Sequence, residues 1–233
     1  MELIEIQPLL TIYIPTYNRV GPLLELLNSL KMYCSDEQRN KIEIVVSDNA
    51  STDLTFFSMK MALDNGFIDK YIRLSSNKGA DVNISNCFKC SDGKFIWILC
   101  DDDLPYPDSI GNIINVIEQE GDNISLIYTN RSCETMDGEI FIKKVSNCIE
   151  GRCYDIRKTI ENPGRDLLTA STLVLKNRDV NGACFREFGI GKSIASLAIA
   201  LDSLMIGSAY LFSSAQVRYR EGDKSSWISE WPK

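Results

Sequence analysis

Along the first hundred residues, short runs that are almost wholly apolar alternate with longer stretches in which apolar residues recur every three or four positions. Leu9 to Ile14, Ile42 to Ser47, Tyr71 to Leu74 and Phe95 to Leu99 are runs of the first kind, and they predict strands buried on both faces. Between the first two, residues 18 to 31 place Leu23, Leu24, Leu26, Leu27 and Leu30 on the inner side of a helix. Thr52 or Asp53 can cap a second helix that Asn65-Gly66 stops, and Asp81 to Cys90 predicts a third. Further along, a helix starts near Pro107-Asp108, and strands are predicted over 124–128, 171–175 and 209–212. A helix over 192–205 completes the pattern, while residues 131 to 168 carry turn signals at Gly138, Gly151 and Asn162-Pro163-Gly164.

This alternation predicts one α/β domain over residues 1–233: a mostly parallel central sheet with helices on both faces. Such sheets bind ligands outside the carboxyl ends of their strands. The first predicted strand is followed by Pro15-Thr16-Tyr17-Asn18-Arg19 and the second by Asp48-Asn49-Ala50-Ser51-Thr52-Asp53. Ser75-Ser76-Asn77-Lys78-Gly79 follows the third, and Asp101-Asp102-Asp103 the fourth.

Composition narrows the chemistry. No histidine occurs among the 233 residues, which removes Ser-His-Asp and Cys-His triads, HExxH zinc sites and any imidazole base. Acid–base work falls to Asp, Glu, Lys, Tyr or Cys, and a metal site made of carboxylates favours Mg²⁺ or Mn²⁺. A net charge of −7 with no basic run argues against nucleic acid as a partner. No apolar stretch approaches the ~20 residues of a membrane span, so the chain reads as soluble or peripheral. Eight cysteines without a signal peptide point to a reduced, cytoplasmic protein. Cys87 and Cys90 lack a second pair at zinc spacing and fit a helical core face better.

The loop after the first strand lacks the GxGxxG of dinucleotide sites. Gly191-Lys192-Ser193 imitates a phosphate loop, but Arg186 stands where that loop needs glycine. The aspartate triplet is the sharp signal: carboxylates this close repel, and a divalent cation stabilises them at a strand end. A solvated acidic turn is the plainer reading, and the apolar strand running into the triplet weighs against it. Asp48 suits a hydrogen bond from a nucleobase or ribose, whereas Ser51, Thr52 and Asp53 fit helix capping.

In order, LTIYIPTYNR, EIVVSDNASTD, RLSSNKGADVNISN and GKFIWILCDDDLP resemble the family 2 glycosyltransferases with the GT-A fold, and more narrowly the abequosyltransferase-like O-antigen enzymes. The likeness is strong over residues 9 to 110 and continues weakly through STLVLKN and REFGIGKSIASLAIAL to REGDKSSW. It implies a Rossmann-like GT-A domain whose residues 1–104 bind the nucleotide-sugar and whose residues 105–233 bind the acceptor. Pro15, Thr16, Tyr17, Arg19, Asp48, Asn49, Asn77, Lys78, Gly79 and Asp101 would then line the donor pocket. Asp101, Asp102 and Asp103 would hold Mn²⁺ or Mg²⁺. Cys100 stands where many members carry a further aspartate, which leaves the metal-binding carboxylate open by one position. The donor implied is a UDP-, CDP-, GDP- or dTDP-sugar, and the acceptor a glycan hydroxyl, lipid-linked, at the inner face of the plasma membrane. Inverting members use an acceptor-side carboxylate as base, often in a Glu-Asp pair. No such pair occurs in residues 150 to 210, so Glu187 is the first candidate and Asp202 the second. Close relatives continue past the position of Lys233. A non-catalytic domain that binds nucleotide or a partner chain is the alternative. A sugar nucleotidyltransferase would want glycines after the first strand that PTYNR lacks.

Overall fold

The computed structural model describes residues 7–135, 137–178 and 183–221. The part of REGDKSSW beyond Glu221 lies outside the described residues. The first half comprises β1 (Leu10–Thr16), α1 (Val20–Tyr33), α2 (Asp36–Arg39), β2 (Ile42–Asp48), α3 (Thr55–Asp64), β3 (Lys70–Arg73), α4 (Ala80–Ser85), α5 (Cys87–Cys90) and β4 (Phe95–Ile98). Then follow β5 (Leu104–Pro105), α6 (Ser109–Glu120), β6 (Ile124–Tyr128), β7 (Arg131–Thr135), β8 (Ile140–Ile142), β9 (Gly151–Cys153) and α7 (Ile156–Glu161). Two short 3₁₀ turns lead to β10 (Leu173–Lys176), α8 (Ala183–Phe188), α9 (Ala195–Leu204), β11 (Ser208–Leu211) and β12 (Val217–Glu221).

The large sheet has the order β3-β2-β1-β4-β10-β6-β11-β9. Neighbours β3, β2, β1 and β4 run parallel, β10 runs against both β4 and β6, and β9 runs against β11. The mostly parallel α/β sheet read from the sequence is therefore present. Side-chain alternation divides the core. Leu10, Ile12 and Ile14 of β1 join Leu23, Leu26 and Leu30 of α1 and Ile110 and Ile113 of α6 on one face. On the other, Tyr13, Ile96 and Ile98 meet Cys87, Ile199 and Ala200. Each fully buried leucine of α1 contributes on the order of 1.5–3 kcal/mol, which holds that helix against the sheet.

Two details depart from the sequence reading. The helix expected over 81–90 is broken at Asn86, where Ser85 turns its hydroxyl back onto the Val82 carbonyl at 2.8 Å and competes with the backbone ladder. The stretch expected to be irregular contains β7, β8, β9 and α7. With β5 and β12, strands β7 and β8 form a second sheet of order β5-β12-β7-β8, laid beside the aspartate triplet.

Candidate active site

Parallel pairing brings the strand tips into line. Thr16 at the end of β1 stands opposite Asp48 at the end of β2, and Asp48 stands opposite Arg73 at the end of β3. The loops beyond them are stitched to one another by side chains. Asn18, at φ +52°, receives the Thr52 N–H on its carboxamide at 2.7 Å and donates its own N–H to the Ser51 hydroxyl at 2.9 Å. Asparagine tolerates this left-handed backbone better than most residues. Asp53 accepts from Val20 N at 3.1 Å and from Thr55 N at 3.0 Å, so one carboxylate satisfies helix starts on two different loops. Asn49 donates to Asn77 at 2.8 Å and accepts from the Lys78 N–H at 2.8 Å, and Asn77 also accepts from Gly79 N. Gly79, at φ +84°, supplies the backbone turn from which α4 starts. The Lys78 side chain is exposed, Tyr17 is half-buried and Pro15 is buried in β1.

Asp48 is fully buried. Its carboxylate accepts from Tyr71 Oη at 2.7 Å and from Ser51 N at 2.7 Å, and Arg73 Nη1 lies 3.4 Å away. Burial, reinforced by the Asp48 charge, pushes the Tyr71 hydroxyl above its ordinary range and keeps it a donor. The residue expected to meet a nucleobase is thus already held by two hydrogen bonds and one ion pair within the protein.

The triplet begins just past β4 and divides by environment. Asp101 is fully buried; its Oδ2 accepts from Thr16 Oγ1 at 2.6 Å and its Oδ1 from Arg19 Nη1 at 3.2 Å. The same Nη1 donates to Asp102 Oδ2, and Asp102 has the most exposed side chain of the three, at 26%. Asp103 is 2% exposed, accepts from Ser171 Oγ at 2.5 Å, and receives the Arg220 backbone N–H at 3.3 Å. Arg220 also donates from Nε to the Asp102 carbonyl at 2.6 Å and from Nη1 to Glu25 on α1 at 2.6 Å. Ser171 Oγ accepts the Cys100 N–H at 3.0 Å as well. Burial, with the adjacent Asp102 charge, raises both Asp101 and Asp103 well above the usual carboxylate range. The charge problem is therefore real in this fold, and two arginines relieve part of it.

Among the described residues, ligand atoms of Cys100, Asp102 and Asp103 lie within 4.8 Å of one another, close enough to share one cation. Two carboxylates suit a hard ion that takes its remaining ligands from phosphate and water. Burial and the facing carboxylates hold the Cys100 thiol well above its ordinary value, so it is the weakest of the three donors. Asp101, expected among the metal ligands, is not part of this group; its fully buried carboxylate meets Thr16 and Arg19 instead.

On the acceptor side, the two candidate bases separate. Asp202, on α9, is 6% exposed and accepts from Cys184 N at 3.1 Å and Phe185 N at 2.8 Å, which makes it the cap of α8. Glu187, on α8, is exposed. The loop after α8 is tied to α4 by Asp81, whose Oδ2 accepts from Gly191 N at 2.8 Å and Ser193 N at 3.0 Å. Sequence reasoning missed Ser171 and Arg220. Neither carried a signal, since they reach the triplet from 68 and 117 positions downstream.

A model of glycosyl transferase family 2 matches residues 11–162. An abequosyltransferase of Salmonella typhimurium, RfbV, is 37% identical over 218 residues, covering 87% of this chain and 58% of that protein. An uncharacterized glycosyltransferase of Haemophilus influenzae is 29% identical over 129 residues, covering 55% of this chain and 41% of its own length. The chain thus spans 58% of the first relative's length and 41% of the second's. Among solved structures, TarS residues 1–349 of S. aureus in complex with UDP-GlcNAc align with a TM-score of 0.66 at 15% identity, covering 96% of this chain and 61% of that one. The mannosyltransferase PcManGT of Pyrobaculum calidifontis, in complex with GDP-Man and Mn²⁺, aligns at 0.56 with 19% identity, covering 97% and 60%. These neighbours share the GT-A fold, and the triplet lies beyond β4 within the segment that the family model covers. The chain belongs to glycosyl transferase family 2.

Proposed function

We propose that this chain forms the donor-binding part of an enzyme that transfers a sugar from a nucleoside diphosphate to a hydroxyl of a growing surface glycan, an O-antigen or similar polysaccharide. The observation that carries the reading is the Asp102–Asp103 pair at the carboxyl edge of the sheet, in line with loops cross-linked into one polar rim. The sugar nucleotides bound in the neighbouring structures, UDP-GlcNAc and GDP-Man, support a donor of this class.

Asp102 and Asp103 would hold Mn²⁺ or Mg²⁺, which when bound offsets the charge that develops on the departing diphosphate. Thr16 and Arg19 keep Asp101 fixed below that pair, and Ser171 and Arg220 fix Asp103 and the Asp102 carbonyl. Asn49, Asn77, Lys78 and Gly79 form the rim towards the nucleotide, with the Lys78 ammonium free to approach phosphate from the exposed side. The acceptor oxygen attacks the anomeric carbon as the sugar–phosphate bond breaks, with inversion, and Glu187 takes the hydroxyl proton. Asp202 is set aside as base because capping α8 occupies both of its oxygens.

A non-catalytic nucleotide-binding domain is the second reading, favoured by that capping role, which leaves one acceptor-side candidate. No helix of the described residues is long and apolar enough to cross a membrane. Calorimetric titration with UDP, CDP, GDP and dTDP, with and without Mn²⁺, tests the reading. One of them should bind more tightly with the metal. Absence of metal-dependent binding for all four would sink the proposal, and binding without donor hydrolysis or transfer would favour the second reading.

A further inference from the structure

We propose that Arg19 is the internal counter-ion of the aspartate turn, and that a divalent cation binds Asp102 in competition with it. The proposal rests on reading Asp102 and Asp103 as cation ligands.

Three observations carry it. First, the Arg19 side chain is 5% exposed, and its Nη1 bridges Asp101 and Asp102. Second, Asp102 belongs both to this bridge and to the Cys100–Asp102–Asp103 cluster. One carboxylate therefore serves two cationic positions. Third, the turn is anchored from the other side: Arg220 holds the Asp102 carbonyl and the Asp103 carboxylate and is itself paired with Glu25. The main chain of the triplet is fixed, so exchange between the two cations is left to the Asp102 side chain.

A guanidinium stays protonated under all working conditions, so it cannot step aside by losing its charge. A metal ion entering beside it meets a like charge and shares its carboxylate. Arg19 thus sets the cation affinity: it lets the metal-free protein tolerate the triplet, and it weakens the hold on the ion until a diphosphate arrives with compensating negative charge. Tight metal binding is thereby linked to the presence of nucleotide.

The test is calorimetric Mn²⁺ titration of the nucleotide-free protein as wild type, Arg19→Gln and Arg19→Lys, with thermal melting of each with and without Mn²⁺. An adjacent charge shifts the ionisation of a group by about one unit or more, so removing the guanidinium should tighten Mn²⁺ binding about tenfold or more. Arg19→Gln should also melt at a lower temperature than wild type without metal and gain more from Mn²⁺. Arg19→Lys keeps the charge and should stay nearer to wild type. If Arg19→Gln does not fold, Arg19→Lys carries the test, since losing the planar donor should tighten Mn²⁺ in the same direction by less. Unchanged or weaker Mn²⁺ binding in the folded variant overturns the competition. Absence of Mn²⁺ binding in wild type and variant alike overturns the cation reading beneath it. Mn²⁺ affinity altered as stated, in protein that binds none of the four nucleotides, upholds the competition and sinks the donor assignment alone.

Discussion

Replacing Ser171 by alanine removes one oxygen and, with it, two contacts that close the aspartate turn. The hydroxyl donates to Asp103 Oδ2 at 2.5 Å and accepts the Cys100 N–H at 3.0 Å; Ser171 and Asp103 are buried and Cys100 is half-buried. A hydrogen bond to a charged group contributes about 1.5–3 kcal/mol, and a buried donor left without a partner costs about 1–3 kcal/mol. The two losses overlap, because Asp103 can take up a proton once the hydroxyl is gone, so about 3 kcal/mol is expected where Asp103 must stay ionised. The pH dependence gives the sharper check. Burial raises Asp103 in the folded protein above its unfolded value, so its contribution to stability is full in acid and is lost as pH rises through the raised value. The Ser171 hydroxyl moderates that rise, and the variant lacks it. The destabilisation should therefore be larger at about pH 9 than at about pH 6. Urea unfolding followed by circular dichroism at both values measures it, and a slope of about 1–3 kcal/mol per molar predicts a midpoint shift on the order of 1 M or more at the higher pH. A loss below about 1 kcal/mol at alkaline pH, or one equal at both values, would refute the argument.

Asp202→Ala should uncap α8 and lower stability by about 1 kcal/mol, read as a melting shift, while Glu187→Gln should leave melting unchanged and remove sugar transfer. A methyl group at Gly93 would meet the Thr11 backbone nitrogen at 2.5 Å, so Gly93→Ala should push β1 from its place and cost about 1–3 kcal/mol or more in denaturant unfolding. Asp166→Asn should cost about 3–5 kcal/mol, because it strips the charge from a buried carboxylate that accepts from Arg131 Nε at 2.5 Å and Tyr128 Oη at 2.6 Å. Parallel changes in near-ultraviolet dichroism and urea midpoint would check it.

How much of the site is legible in the chain depends on where the information sits. β1, β2 and β4 are buried along their whole length, so most of their residues are apolar and the loops beyond their ends show as polarity changes. Because the sheet is parallel there, those same ends form the site, and the order of residues alone is enough to collect the polar tips. β12 reads Val-Arg-Tyr-Arg-Glu and resembles an exposed segment, yet it pairs with β5 on one side and β7 on the other. The partners of its arginines, Glu134, Glu25 and the triplet, are all distant in sequence, so no local pattern betrays them. The triplet itself was legible as a charge problem. That arginines share in solving it was not, because Arg19 stood in the sequence as one more residue of a polar loop.

The distant partners of the turn also bear on the order in which the chain can fold. β1 to β4 pair with one another, but β10 must insert between β4 and β6, and β12 must reach the triplet, before the three aspartates are sheltered. Contacts of such separation form late, since loop closure has to be overcome first. A chain still emerging from the ribosome would carry a finished polar rim beside an unfinished acidic turn. On the proposed cation reading, the shelter that the aspartate turn needs would be complete only once β12 is in place.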